Sequence, residues 1–171
     1  MILGLDVSTN YIGWCIIGKS GKVVDIGHWD LHLVKIKELK YRKIQTLFSD
    51  MVEDYPEISK IFVEAPLGAS NNQFVCNILQ RWNGMVCAML FERSVIWPEL
   101  IKETAARKHA NIKVPKGVKG KEKKKFVLQF VQSLNIIDST VWKLKRTGTP
   151  ADFNFDMADS YLIAQAGYDG V

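Results

Sequence analysis

An α/β fold with a mixed five-stranded sheet flanked by helices is predicted by two features of the sequence. Three short apolar or β-branched runs lie close together at the N-terminus, as in a meander of strands, and the rest of the chain alternates helix-period with strand-period segments. Ile2 to Val7 is the first strand; Ile12 to Ile17 and Lys22 to Leu31 follow, with Gly-containing turns expected at Gly13 and at Gly18 to Gly21. From Lys37 to Tyr55 the residues Leu39, Ile44, Leu47, Phe48, Met51 and Val52 recur at threes and fours before Pro56, which predicts an amphipathic helix with a stop signal.

Lys60 to Ala65 returns to a strand pattern ended by Pro66 and Gly68, so this strand delivers Glu64 at its C-terminal tip. Asn71 to Arg93 reads as a long helix, apolar on most faces, capped by Asn71 or Asn72. Ser94 to Trp97 is expected to form the fifth strand, and Pro98 to open a helical turn toward His109. A basic loop over Asn111 to Lys121, a helix over Lys123 to Leu134, an irregular stretch over Arg146 to Phe153 and a last helix from about Asn154 to Gly167 complete the chain. Ligands of such sheets sit beyond the carboxyl ends of the strands, where Asp6 and Glu64 both fall.

A chain of 171 residues fits one domain, 1–171, with a continuous core. The longest apolar stretches, such as Met85 to Phe91, fall well short of the roughly 20 residues that cross a bilayer, and Met1 to Asp6 lacks a leader's basic and apolar regions. No membrane association and a cytoplasmic location are therefore expected. Cys15, Cys76 and Cys87 have no metal-ligand spacing and read as reduced core residues, while His28, His32 and His109 are isolated and form no zinc pattern. Phosphate-loop and dinucleotide-binding glycine motifs are absent.

Charge is distributed unevenly. Between Lys102 and Arg146 there are 13 Lys and Arg against three acids, a net of +10 that leaves −5 for the remainder of this +5 chain. That asymmetry points to a polyanionic partner, the alternative being a solvated basic loop.

Four acids stand where a fold alone would not place them. Asp6 follows an apolar strand and Glu64 ends the buried run Ile61-Phe62-Val63, a costly place for a carboxylate without a partner. Asp156 and Asp159, three apart at a helix start, share one face and repel. Simpler roles exist: Asp6 could tie down the Ser8-Thr9-Asn10 turn, and either later acid could complement the helix dipole for about 0.3–1 kcal/mol. Neither role requires all four. Four carboxylates together call for hard cations such as Mg²⁺ or Mn²⁺, and two ions about 3.5–4 Å apart support in-line displacement at a phosphodiester.

Ile-Leu-Gly-Leu-Asp6 followed by Ser8 and Gly13-Trp14, then Phe-Val-Glu64, then Asp156-Met-Ala-Asp159-Ser-Tyr-Leu-Ile-Ala resembles, in order across the chain, the motifs of RuvC-type Holliday junction resolvases of the ribonuclease H-like superfamily. The resemblance implies a metal-dependent endodeoxyribonuclease. In it Asp6, Glu64, Asp156 and Asp159 hold two divalent cations, and a homodimer nicks opposed strands of a four-way junction in branched DNA; Leu67, standing where many members carry an aromatic, leaves cleavage of forks and flaps open as well. It also implies two functional lysines, Lys102 after the fifth strand and Lys124 in the next helix, the second interchangeable with Lys121, Lys123 or Lys125. The basic segment that would hold DNA comprises Lys102, Arg107, Lys108, Lys116, Lys119, Lys121, Lys123, Lys124 and Lys125. Short length and high lysine content are similar to the bacteriophage-encoded branch. Where many members carry an aromatic three residues after the strand-end Glu, this chain has Leu67, with Phe74 further on. A helicase partner does not follow from the sequence.

Two other readings stay open. Gly-Leu-Asp6-Val-Ser-Thr-Asn-Tyr-Ile-Gly also resembles the first phosphate-binding turn of sugar-kinase and actin-like ATPases, of which this chain could supply only one of two domains. A non-catalytic DNA-binding module would use the basic segment and leave the acids to shape the fold. Finally, Val75, Ile78, Leu79, Trp82, Met85, Val86, Met89, Leu90 and Phe91 exceed what one sheet face can bury, which predicts a homodimer interface on that helix, with Met89 on its outer face.

Overall fold

The computed structural model describes residues 1–66, 73–115, 117–118 and 120–171, without the side chain of Lys121. Leu67, Gly68, Asn71, Asn72, Lys116 and Lys119 thus lie outside the described residues.

Ile2–Val7 forms β1, Tyr11–Ile17 β2, Val23–Asp30 β3, Lys60–Glu64 β4 and Glu99–Ile101 β5. They build one sheet in the order β3-β2-β1-β4-β5, in which β1, β2 and β3 pair antiparallel while β4 joins β1 and β5 joins β4 in parallel. Period-two alternation sends Leu3, Leu5, Ile61 and Val63 to one face and Phe62 and Cys15 to the other. The first face is covered by α1 (Lys37–Asp54) and α2 (Gln73–Ser94), through Ile44, Phe48, Val86 and Met89. The second carries α3 (Glu103–His109), α4 (Gly120–Ser133) and α5 (Phe153–Asp169), through Ala106, Val127, Ala158 and Leu162. No helix among the described residues is long and apolar enough to cross a membrane.

α5 lies unusually close to the sheet because of two glycines. A Cβ on Gly4 would strike the backbone of Ser160 and Ala164, and one on Gly13 would overlap the backbone of Asp156 and Met157. Gly13 is therefore a residue inside β2, paired with Asp6, and not the turn that its sequence suggests. The turn at Gly18 to Gly21 does form, with Gly21 at φ 75°.

Three other boundaries differ from expectation. β5 follows Pro98 instead of preceding it: Val95 takes φ 59°, which breaks extension over Ser94 to Trp97, and a residue without N–H is tolerated at the entry to an edge strand. α4 begins at Gly120, ahead of Lys123. α5 runs through Gly167, which is small because Phe62 packs on it, and ends at Gly170, left-handed at φ 79°.

Candidate active site

Parallel pairing of Leu5 with Val63 makes the next residues, Asp6 and Glu64, neighbours at the carboxyl ends of the two central strands. Gly13, opposite Asp6, admits the first turn of α5, and so brings Asp156 and, one turn on, Asp159 to the same place. All three aspartates are buried. Burial raises the carboxyls of Asp6, Glu64, Asp156 and Asp159 above the usual range; in Asp6 the neighbouring Glu64 adds to the effect, and Asp156 reaches about 7, helped by Asp6.

A single cation from α4 answers this acidity. Lys124 places Nζ 3.1 Å from Asp156 Oδ1, 3.5 Å from Asp159 Oδ2 and 4.0 Å from Asp6 Oδ2. Desolvation alone would lower its pKa, but Asp6, Asp159 and Asp156 outweigh it and hold the ammonium protonated. Among the described side chains of the lysine cluster, Lys124 is thus the one that meets the acids.

The remaining basic residues are placed differently. Arg107, expected on a DNA-facing surface, is buried: it donates to Asp159 Oδ1 at 3.4 Å and pairs with Glu103 one turn back on α3. Lys123 Nζ lies 3.4 Å from Glu103, and Lys125 Nζ 2.6 Å from Glu122. Lys102, between β5 and α3, and Lys108 are exposed, and neither reaches the carboxylates among the ion pairs described. A tight space lined by Glu64, Glu103, Arg107 and Asp159 joins this network to the acids.

Two α2 residues with no charge to betray them hold the strand ends. Trp82 Nε1 donates to the Ser8 carbonyl at 3.2 Å, and Asn83 Nδ2 to the Glu64 carbonyl at 3.0 Å. Asn83 is buried, and its role has no sequence signal because Gln80 and Arg81 just before it are polar as well. On the opposite side an aromatic row extends from the site. Phe153, which opens α5, stacks on His28 with centroids 3.7 Å apart and meets Tyr11 edge-on at 6.0 Å; Tyr11 lies 6.1 Å from His32. His109 pairs with Asp169 at 2.7 Å, well away from the acids in the sequence and at the far end of α5.

The donor set suits a hard divalent ion: its ligands are carboxylate oxygens only, and Asp6 Oδ2 is buried without a hydrogen-bond partner. Among the described residues no three His, Cys, Asp or Glu are arranged as a ready metal cage.

Sheet order, mixed pairing and flanking helices are those of the ribonuclease H-like fold. Solved structures agree. The chain is similar to T. thermophilus RuvC in complex with Holliday junction substrate, at TM-score 0.62 and 12% identity over 99% of this chain and 95% of that one. It is similar to the yeast mitochondrial Holliday junction resolvase at 0.59 and 15%, over 98% and 77%. A third is the Fowlpox virus resolvase in complex with its Holliday junction DNA, at 0.53 and 13%, over 98% and 96%. Identities this low show a shared fold. No protein-family model matches the sequence, and no curated protein does.

Proposed function

We propose that this chain is a metal-dependent, structure-selective endodeoxyribonuclease that cleaves branched DNA such as Holliday junctions, and that it acts as a homodimer. The observation that carries the reading is the convergence of Asp6, Asp156 and Asp159 on one ammonium at the carboxyl ends of the central strands, beside Glu64. Similarity in fold to three proteins solved as junction-resolving enzymes adds to it. Asp6, Glu64, Asp156 and Asp159 would hold two Mg²⁺ or Mn²⁺ ions, which when bound supply an activated water and charge stabilisation for the leaving oxygen.

The protein's own residues set the stage. Lys124 offsets the mutual repulsion of the ionised acids, which burial strengthens, and keeps them assembled before metal arrives. Trp82 and Asn83 fix the backbone just beyond Asp6 and Glu64, so both carboxylates are held in advance. Assignment to the bacteriophage-encoded branch, with action in a host cytoplasm, rests on the short, lysine-rich chain.

Synthetic four-way junction, fork and linear duplex, each incubated in Mg²⁺ and in EDTA, test the reading. Expected is cleavage of the branched substrates in Mg²⁺ only, lost in Asp6→Asn, Glu64→Gln, Asp156→Asn and Asp159→Asn with junction binding retained. Binding without cleavage in Mg²⁺ by the wild type would instead make it a non-catalytic DNA-binding module.

A further inference from the structure

We infer that the first half of α1 and the segment leading into it form a second DNA-backbone surface, on the flank of the carboxylate site opposite α4; this rests on the nuclease reading above. Lys35, Lys37, Lys40, Arg42 and Lys43 stand within nine residues that contain one acid, Glu38. The local net of +4 is hidden in a remainder that sums to −5.

Topology puts this cluster at the active end of the sheet. β3 runs parallel to β1, so the chain leaves β3 at Asp30 on the side where β1 ends in Asp6 and Val7, and α1 starts from there. Side chains tie the two together. Lys40 Nζ donates to the carbonyl of Thr9, three residues beyond Asp6, and Lys43 Nζ to the carbonyl of Asp30 at 2.8 Å. Lys35 Nζ donates to the carbonyl of His32 at 2.9 Å, and His32 ends the aromatic row that begins at Phe153, three residues before Asp156. Ring contacts thus link Phe153, Tyr11 and His32 in turn, and Lys35 joins the last of them.

These cations differ from four of those on α3 and α4 in one respect. Arg107, Lys123, Lys124 and Lys125 each face a carboxylate. Among the described residues none of the five in Lys35–Lys43 has an ion pair with one, and carbonyl contacts orient an ammonium without cancelling its charge. Nor does helix stability explain them, because cations at a helix N-terminus oppose its dipole. Lys35, Lys37, Arg42 and Lys43 are exposed, so their charged ends are accessible. Cations that form no ion pair among the described residues, on one side of a buried acidic site, fit the phosphates of a duplex arm that passes across it.

The test compares two triple variants of the full chain in binding to a four-way junction across a range of salt, in Ca²⁺ or EDTA to prevent cleavage. Lys35→Gln/Lys37→Gln/Arg42→Gln removes the proposed surface. Lys19→Gln/Lys22→Gln/Lys60→Gln removes equal charge at the opposite end of the strands. The first should weaken binding and lower the slope of log affinity against log salt by about 2 to 3 units, at roughly 0.9 per phosphate contact, and the second should change it by less than one. Bound junction should also protect Lys37 of the wild type from acetylation more than Lys22, a readout that needs no substitution. Equal slopes in the two variants, or equal acetylation, overturn the inference. Because Leu33 and Ile36 beside the cluster are exposed, a change in sedimenting mass without a change in slope would assign the surface to another protein copy and overturn it as well. If the wild type cleaves junctions and only these comparisons fail, the nuclease reading stands; if it binds no junction at all, both fall.

Discussion

Arg107 reaches Asp159 across the gap between α3 and α5, with Nη2 3.4 Å from Oδ1 and both side chains buried. Removing one partner of a buried pair leaves the other charge without compensation, which costs about 3–5 kcal/mol. Arg107 Nε and Nη1 have no hydrogen-bond partner, and Lys124 still serves Asp159, so the lower end of that range is expected here. Arg107→Met should reduce the unfolding free energy by about 3 kcal/mol in a urea titration, whereas exposed Lys108→Met should stay within about 0.5 kcal/mol. Equal small effects would mean that the guanidinium is solvated.

Burial holds four carboxyls above their usual range, Asp156 at about 7, and this gives the metal-free protein a pH dependence of definite sign. Between about pH 4 and 7 the folded chain keeps protons that the unfolded chain has released. Stability therefore falls as pH rises through that window. His28, lowered by burial, works in the opposite direction, but as one group against four. Lys124 is raised, so its contribution is intact until pH exceeds the ordinary lysine range and plays no part. The melting temperature in EDTA should be higher at pH 5 than at pH 8, and excess Mg²⁺ should flatten the difference by favouring the ionised acids. A melting temperature in EDTA that climbs from pH 5 to pH 8 would contradict the burial of these groups.

Two glycine substitutions should have opposite effects. Ala at position 13 would drive a methyl group into the Asp156 backbone and push α5 off the sheet, so Gly13→Ala should both destabilise the fold and suppress cleavage. Gly84 is exposed within α2, with nothing close to where its Cβ would be; Gly84→Ala should stabilise by about 0.4–1 kcal/mol. Thermal unfolding of both variants checks this, and a neutral Gly13→Ala would show that α5 does not depend on the close approach.

The four carboxylates that the candidate site draws together are legible in the sequence because they break strong local patterns. Asp6 and Glu64 end runs of residues that want burial, and Asp156 and Asp159 share a face at the start of a helix that continues into the apolar run Tyr161-Leu162-Ile163-Ala164. What escapes is whatever depends on a distant partner. Gly13 reads as a turn until α5, more than a hundred residues later, is seen to lie on it. Arg107 sits in a lysine-rich stretch and reads as surface; only Asp159 explains its burial. β5 was displaced past Pro98 because Val95 adopts a left-handed conformation that a β-branched residue seldom takes. In α2, apolar almost all round, periodicity does not identify the inward face: Trp82, Val86, Met89 and Leu90 are buried, while Met85 and Phe91 point out.

That last orientation changes how the proposed homodimer is tested. Met89, expected on the outer face of α2, is 0% exposed and belongs to the core under the sheet, whereas Phe74 is 73%, Val75 44%, Phe91 40% and Met85 38% exposed. Phe91 also meets Trp97, itself exposed, edge-on at 5.3 Å, which extends the apolar strip beyond the helix. Phe74, Met85 and Phe91, apolar and exposed on the outward side of α2, call for a cover, and a cyclic two-fold dimer supplies it from identical patches while placing two active sites on a symmetric junction. Sedimentation at micromolar concentration should give about twice the 19.4 kDa chain mass. Met85→Glu and Phe91→Glu should each move the protein toward monomer with its thermal unfolding intact and abolish paired strand cleavage while single nicking survives. Met89→Glu should instead unfold the chain, because it buries an unpaired charge in the core. A wild-type chain that sediments at 19.4 kDa both free and on a junction would refute the dimer.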